Sequence, residues 1–231
     1  MVTFGLILDM DGVILNSAIY NLLCFNFALQ DYGIFIPERD FPKYNGIPLD
    51  EMVRQLEEKH GRSINFSKFR MEANNYQRKL MNGDLPDIIK GISSNQDLDN
   101  LLTELSTHKI PLAVGTSSHR NRAFWILEKL GYVTAGYSPI FDAIIVREDV
   151  RRYKPYPDTF LKAKLEIGSP DNCVVIEDSP TGIEAAKNAG MIAIAYLTKG
   201  YSKEDFNDAD LVIESFVELS YQVLQTLLHD R

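Results

Sequence analysis

Residues 3–12 read Thr-Phe-Gly-Leu-Ile-Leu-Asp-Met-Asp-Gly, a short apolar run that ends in two acids and a glycine. Thr3–Leu8 predicts a β-strand covered on both faces, because such strands are nearly continuous in apolar residues. Ligands of open α/β sheets bind beyond the carboxyl ends of the strands, so Asp9 and Asp11 stand where a site would form. Taken alone, the Asp-x-Asp-Gly run is also typical of a simple turn, since Asp and Gly favour turns.

Five further apolar runs alternate with segments of helical periodicity, which is typical of a parallel sheet with crossover helices. The strands predicted after the first are Pro111–Val114, Ala143–Val146, Cys173–Ile176, Ile192–Ala195 and Leu211–Ile213. The predicted helices are Asn95–His108, Arg120–Leu130, Pro157–Glu166 and Thr181–Ala189. A last segment places on one helical face the residues Phe216, Leu219, Val223 and Leu227. The sequence therefore predicts an open α/β core.

The alternation is interrupted between Ser17 and Leu85, where no run is typical of a strand. The helices predicted in this interval are Ser17–Tyr32, Leu49–His60 and Phe66–Met81. In the second of them, apolar residues recur with the i, i+3, i+4, i+7 spacing of an amphipathic helix. We therefore predict two domains: a core made of residues 1–16 and 86–231, and a helical domain inserted over residues 17–85.

The composition is that of an ordinary globular protein. Of the 231 residues, 45% are apolar, and 24 Lys and Arg against 32 Asp and Glu give a net charge of −8. This charge argues against a general nucleic-acid binder, which gains affinity by neutralising phosphates with basic side chains.

No uncharged apolar run reaches the roughly 18 residues of a membrane helix, and the first residues do not form a secretion signal. Cys24 and Cys173 lie in apolar runs and are expected to be buried thiols. We therefore expect a cytoplasmic protein that binds neither nucleic acid nor membranes.

Polar side chains follow four of the predicted strands. The segments are Asp9–Gly12, Gly115–Ser118, Lys154–Asp158 and Glu177–Gly182. The adjacent acids Glu177 and Asp178 are the hardest to explain as structure alone, because neighbouring carboxylates resist burial unless a cation or hydrogen-bond donors compensate them. Taken together and in this order, the four segments predict one site at the carboxyl edge of the sheet.

Aligned carboxylates with one lysine are typical of a magnesium site that holds a phosphoryl group. Mg²⁺ prefers oxygen ligands and shares its coordination shell with substrate phosphate and water. One carboxylate can attack phosphorus and form an aspartyl-phosphate. A second acid two residues further on can protonate the leaving oxygen and later deprotonate the attacking water. The sequence therefore predicts Mg²⁺-dependent phosphoryl transfer.

The segments Asp9-Met-Asp-Gly-Val-Ile, Gly115-Thr-Ser-Ser, Lys154-Pro and Ile176-Glu-Asp-Ser-Pro-Thr-Gly resemble the four ordered motifs of the haloacid dehalogenase superfamily. The insertion after the first motif resembles the helical cap of its β-phosphoglucomutase-like and phosphoglycolate-phosphatase-like members. This resemblance implies a Rossmann-like, three-layer α/β core with a mainly parallel sheet, and an α-helical cap that closes over the substrate.

The resemblance also implies a role for each motif residue. Asp9 would be the nucleophile and Asp11 the general acid/base. Thr116 and the main-chain amide of Ser117 would bind the transferring phosphoryl group, and Lys154 would pair with its charge.

The metal contacts follow from the same resemblance. The Mg²⁺ ligands would be Asp9, the main-chain oxygen of Asp11, Asp178 and, directly or through water, Glu177. Further contacts to the phosphate or the substrate are expected from Gly12, Asn45, Gly46 and Arg54. The partner is expected to be a small phosphorylated metabolite, and the protein a monomer or a weak homodimer.

The motif residues also separate the members of the superfamily. Asp11 excludes the dehalogenases and phosphonate hydrolases, which lack the second acid of the first motif. The mutase cap carries a histidine near the place where Asn21 stands, and an arginine three residues after a cap glycine, where Leu49 follows Gly46. Both departures favour hydrolysis, so the leading expectation is a phosphatase acting on a sugar phosphate, a polyol phosphate or a phosphoglycolate-like ester. A β-phosphoglucomutase-like mutase is the alternative. A non-catalytic binding or regulatory protein on the same fold would lack a motif residue, and none is missing.

Overall fold

The computed structural model describes residues 4–15, 17–44, 47–82, 95–198 and 201–229. The chain divides into two compact units. One, here called the core unit, comprises Met1–Leu15 and Ser93–Arg231, and the other, the inserted unit, comprises Asn16–Ile92.

The core unit is built on a six-stranded sheet. The strands are β1 Phe4–Leu8, β2 Leu112–Gly115, β3 Ala143–Ile145, β4 Asn172–Glu177, β5 Ile192–Tyr196 and β6 Leu211–Ile213. Their order across the sheet is β3-β2-β1-β4-β5-β6, and every neighbouring pair is parallel. The predicted Rossmann-like α/β fold is confirmed, and each predicted strand agrees with the observed one to within one residue at either end. Buried apolar runs are this reliable as a signal because both faces of a parallel sheet are covered.

The described part of the chain contains eight α-helices. They are α1 Ser17–Leu29, α2 Leu49–His60, α3 Phe66–Asn82, α4 Gln96–Thr107, α5 Arg120–Lys129, α6 Asp158–Glu166, α7 Pro180–Asn188 and α8 Tyr221–His229. Short polar side chains define several of the starts. Asn95 accepts a hydrogen bond from the backbone of Asp97 before α4, and Ser179 accepts one from Gly182 before α7. Such caps satisfy amide groups that have no partner within the helix.

One hydrophobic cluster of the core unit lies between the sheet and the helices α6 and α7. Ile7 and Val175 of the two central strands are fully buried against Phe160 of α6 and Ile183 of α7. This packing holds the central strands rigidly, and therefore also the loops that follow them at the carboxyl edge.

The predicted helical face near the end of the chain is partly wrong. Phe216 and Leu219 are buried as expected, but the other two buried side chains are Leu224 and Leu228 rather than Val223 and Leu227. The reason is a break in the helix: a short 3₁₀ turn covers Phe216–Glu218, and α8 begins afresh at Tyr221. The break changes the angular position of every later residue, so a single helical period cannot describe the whole segment.

In the inserted unit, α1 packs on α3 around buried Leu29, Met52 of α2 and Phe69 of α3. The first predicted helix ends earlier than expected, at Leu29, and Gln30–Tyr32 form a 3₁₀ turn. This turn ends at a glycine with a φ of 59°, a left-handed conformation in which glycine commonly ends helices.

Two further expectations concern the whole described chain. Both cysteines, Cys24 and Cys173, are buried as predicted. Within the ranges given above, no helix is both long enough and apolar enough to span a membrane.

Candidate active site

The carboxyl ends of three neighbouring strands lie level at one edge of the sheet. β1 lies between β2 and β4, and the register aligns Leu8 with Val114 on one side and with Ile176 on the other. Asp9, the first residue after β1, is still hydrogen-bonded to β4, because its amide donates to the Ile176 carbonyl at 2.9 Å. The aligned register therefore brings Asp9 and Glu177 together, as the sequence predicts.

Lys154 connects these two acids. Its Nζ contacts Oδ1 of Asp9, lies 2.5 Å from Oε1 of Glu177, and donates to the Gly115 carbonyl at 3.1 Å. The side chain is 7% exposed and its ammonium lies 4.7 Å from the ring centre of Phe160. Burial opposes the charge on Lys154, but Asp9 and Glu177 outweigh burial and raise the pKa of its ammonium. Lys154 is therefore a fixed positive charge at the centre of the site.

Glu177 is held at both carboxylate oxygens. While Oε1 faces Lys154, Oε2 accepts hydrogen bonds from the backbone amide of Ser179 at 2.9 Å and from its hydroxyl at 2.8 Å. A Cβ added at Gly182 would lie 1.9 Å from the carboxyl carbon of Glu177. The glycine in the first turn of α7 therefore leaves the space that this buried acid occupies.

Asp178 lies against the loop that follows β1. Gly12 has a φ of 86°, and a Cβ added there would lie 1.7 Å from Oδ2 of Asp178. The same carboxylate oxygen lies 3.4 Å from the hydroxyl of Thr198. Both the backbone conformation and the close approach therefore require glycine at position 12.

The loop after β2 brings its hydroxyl groups to the same edge. Thr116 is 1% exposed, and its backbone amide donates to the Ile145 carbonyl at 3.0 Å. Its hydroxyl accepts a hydrogen bond from the backbone amide of Ser118, also at 3.0 Å. Ser117, between them, is partly exposed. The predicted phosphate-binding residues of this motif thus lie on a loop that is held by one hydrogen bond to β3 and by one within the loop.

Asp11 has a partner that the sequence did not reveal. Arg122, in the first turn of α5, donates to both carboxylate oxygens of Asp11, and each N···O distance is 2.6 Å. Ser118 donates from its hydroxyl to Oδ2 of Asp11 at 2.8 Å. Burial raises the pKa of Asp11, but the guanidinium of Arg122 outweighs burial and lowers it. Arg122 follows the Gly115–Ser118 motif closely in sequence, and that proximity is the one signal that could have singled it out.

The site holds more negative charge than its lysine neutralises. Burial raises the pKa of Asp9 to about 8 against the opposing charge of Lys154, and Glu177 and Asp11 add to the rise. Burial, together with the same neighbouring carboxylates, raises the pKa of Asp178 to about 9. Carboxylates with raised pKa values favour the binding of a cation, because a cation stabilises their charged form.

Magnesium is the cation that the sequence predicts, and the donors fit it in kind. Mg²⁺ binds oxygen ligands, and the candidate donors Asp9, Glu177 and Asp178 are all carboxylates. In the described parts of the chain, no three His, Cys, Asp or Glu side chains are grouped in a way that could already hold a metal ion. Here Lys154 contacts two of the candidate donors, Asp9 and Glu177. The donor chemistry and the charge therefore fit Mg²⁺, and the ligand set remains a prediction.

The residues predicted to contact substrate from the inserted unit are not tested by the structure. Asn45 and Gly46 lie outside the described residues. Arg54 is exposed on α2, where its guanidinium pairs with Glu51 at 2.6 Å and with Glu58 at 2.5 Å. These are intrahelical ion pairs of the i, i+3 and i, i+4 kind, which are common on solvated helices.

The chain is similar in sequence to known phosphatases and mutases, and similar in fold to solved structures. The family model for haloacid dehalogenase-like hydrolases matches residues 6–196. The fructose-1-phosphate phosphatase of Escherichia coli (strain K12) is 30% identical over 192 residues, which are 82% of this chain and 94% of that protein. The β-phosphoglucomutase of Bacillus subtilis (strain 168) is 28% identical over 227 residues, or 95% and 93% of the two chains. The structure of a putative β-phosphoglucomutase from Thermotoga maritima superposes with a TM-score of 0.74 at 21% identity, covering 97% of this chain and 99% of that one.

Proposed function

Because this chain belongs to the haloacid dehalogenase-like hydrolases and is a phosphoric monoester hydrolase, we propose that it acts on a small phosphorylated metabolite with Asp9 as the nucleophile. The substrate class is a sugar phosphate, a polyol phosphate or a phosphoglycolate-like ester. The observation that carries the proposal is the contact of Lys154 with both Asp9 and Glu177 at the carboxyl edge of the sheet. A buried carboxylate beside a fixed ammonium can attack a phosphate dianion whose charge that ammonium helps to neutralise.

The proposed reaction has two steps. In the first, an oxygen of Asp9 attacks phosphorus, the ester P–O bond breaks, and Asp11 gives a proton to the leaving alcohol oxygen. In the second, Asp11 takes a proton from water, the water oxygen attacks the phosphorus of the aspartyl-phosphate, and the bond from phosphorus to Asp9 breaks. The products are the alcohol and inorganic phosphate. Thr116, the amide of Ser117 and Lys154 bind the phosphoryl oxygens in both steps.

Magnesium belongs to the proposal as the resident cation. The residues that would hold it are Asp9, the main-chain oxygen of Asp11, Asp178 and Glu177. When bound, it would neutralise charge on the phosphoryl oxygens. The chain's own contribution is to fix these oxygen donors at the end of β4 and in the loop after β1.

A turnover panel tests the proposed activity. We expect phosphate release from p-nitrophenyl phosphate and faster release from at least one sugar phosphate, polyol phosphate or phosphoglycolate, with Mg²⁺ present. Phosphate is measured after incubation with each ester, and a matched assay without Mg²⁺ is the control. Absence of release from every ester contradicts the proposal and favours a binding protein on this fold.

The role of Asp11 is tested by Asp11→Asn. We expect turnover of esters with poor leaving groups to fall by roughly 10²–10⁴-fold, because general acid/base catalysis is lost. Esters with good leaving groups should lose less, since a p-nitrophenolate departs without a proton. The measurement is kcat/KM over a series of leaving groups. An equal loss across the series would mean that Asp11 does not transfer the proton.

A mutase is the second candidate, supported by the relative from Bacillus subtilis that spans nearly the whole chain. The two candidates differ in the acceptor of the phosphoryl group, which is water in the phosphatase and a second sugar oxygen in the mutase. Asn21 and Leu49 stand where the mutase pattern has a histidine and an arginine. With β-glucose 1-phosphate as substrate, we therefore expect release of phosphate, and formation of glucose 6-phosphate would favour the mutase.

A further inference from the structure

The contact between Asp11 and Arg122 joins two elements that are 111 positions apart in the sequence. The two terminal nitrogens of the guanidinium face the two oxygens of the carboxylate, each at 2.6 Å. Such a paired fork is the strongest geometry available to an arginine and a carboxylate, and it fixes direction as well as distance.

Arg122 does not stabilise α5 through the helix dipole. Arg122 lies in the first helical turn, where the helix dipole disfavours a positive charge. Its side chain is only 14% exposed, so the guanidinium has lost most of its contact with water. A charge in this position needs a nearby carboxylate, and Asp11 provides it.

We infer that Arg122 is a positioning residue for the proton transfer: its fork holds the ionised Asp11 carboxylate in the orientation from which it takes a proton, and one hydrogen bond of the fork opens while Asp11 carries the proton that it gives to the leaving oxygen. The inference rests on the proposed function, because the orientation of Asp11 matters to the reaction only if Asp11 is the acid/base. Arg122 itself touches neither the reacting atoms nor the phosphoryl group in this account.

The surrounding contacts support an orienting role. A carboxylate bound at both oxygens by one planar group cannot rotate about its Cβ–Cγ bond without breaking a hydrogen bond. Ser118 contacts both partners, since its hydroxyl donates to Asp11 and accepts from Arg122. The backbone amide of Ser118 in turn donates to the hydroxyl of Thr116. The orientation of Asp11 is thereby tied to the loop that is proposed to bind phosphate.

The test compares Arg122→Lys with the wild-type protein over a series of leaving groups. Lysine retains the positive charge that Asp11 needs but cannot form the planar fork. A misdirected acid should lower kcat for alkyl phosphates by roughly 10–100-fold, in line with the cost of small displacements in a reacting geometry. For p-nitrophenyl phosphate, whose leaving group needs no proton, we expect a change of less than about threefold.

Arg120→Lys is the matched control. Arg120 lies on the same helix and pairs with Asp149 at 2.5 Å, but it makes no contact with Asp11 among the described interactions. Its replacement should leave the dependence on the leaving group unchanged. Thermal unfolding of all variants shows whether each is folded at the assay temperature.

A double-mutant cycle separates the inference from a purely structural role. If Arg122 acts through Asp11, the pair Asp11→Asn and Arg122→Lys should lose no more activity than Asp11→Asn alone. Losses that multiply, an equal loss on all leaving groups, or a gain on alkyl phosphates would each overturn the inference. A failure of the proposed function is recognised separately, because Asp11→Asn alone would then show no dependence on the leaving group.

Discussion

Replacing Asp9 with asparagine is expected to abolish turnover and to leave the protein folded. The two side chains are nearly isosteric, and the amide oxygen can still accept a hydrogen bond from Lys154, whose other partner Glu177 is unchanged. The amide cannot attack phosphorus, so no aspartyl-phosphate forms. Phosphate release in the steady state measures the loss, and the mass of acid-quenched protein shows whether any phosphoenzyme accumulates.

Asp208→Asn is the matched control for this experiment. Asp208 is an exposed aspartate in the loop before β6, far along the chain from the motif residues. It should keep full activity, so that a loss seen only in Asp9→Asn is specific to the site. Residual activity of Asp9→Asn within roughly tenfold of wild type would remove Asp9 from the nucleophile role.

The position of the site was predictable because it depends on strand ends. A buried strand is the best interpretation of an apolar run such as Thr3–Leu8, and the carboxyl ends of parallel strands all lie at the same edge of the sheet. Asp9 and Glu177 are therefore neighbours for a reason that can be seen in the sequence before any contact is known. Lys154 was predicted through its motif, and its bridging position agrees with the charge requirement of the two acids.

Side-chain contacts between distant segments were not predictable in the same way. Arg122 points at Asp11 only because α5 starts where it does, and the angular position of a residue on a helix depends on that start. The end of the chain shows the same limit. The break before Tyr221 exchanges Val223 for Leu224 as the buried residue, although the apolar residues themselves were recognised.

Removal of divalent cations is expected to eliminate activity. Asp9, Glu177 and Asp178 bring three carboxylates to one edge with the ammonium of Lys154 between two of them, and a phosphate dianion adds further negative charge. Without a cation this group repels the substrate. Burial raises the pKa values of Asp9 and Asp178, and repulsion by the neighbouring carboxylates adds to the rise. We therefore expect excess EDTA to stop phosphate release and Mg²⁺ to restore it. Ca²⁺ should bind but support roughly 10²-fold less turnover, because its longer and more flexible coordination misplaces the nucleophile.

Two conservative variants locate the metal within this group. Both oxygens of Glu177 already have donors in Lys154 and Ser179, whereas Asp178 has a hydroxyl at 3.4 Å as its described hydrogen-bond partner. Asp178 is therefore the better candidate for direct ligation, and Asp178→Asn should raise the Mg²⁺ concentration needed for half-maximal activity more than Glu177→Gln does. The comparison uses apparent Mg²⁺ affinity rather than kcat, because Glu177→Gln also disturbs Lys154. The reverse order would assign the ligand to Glu177. Full activity in excess chelator would remove the metal from the mechanism, since the charge of Lys154 alone would then be enough to hold the phosphoryl group.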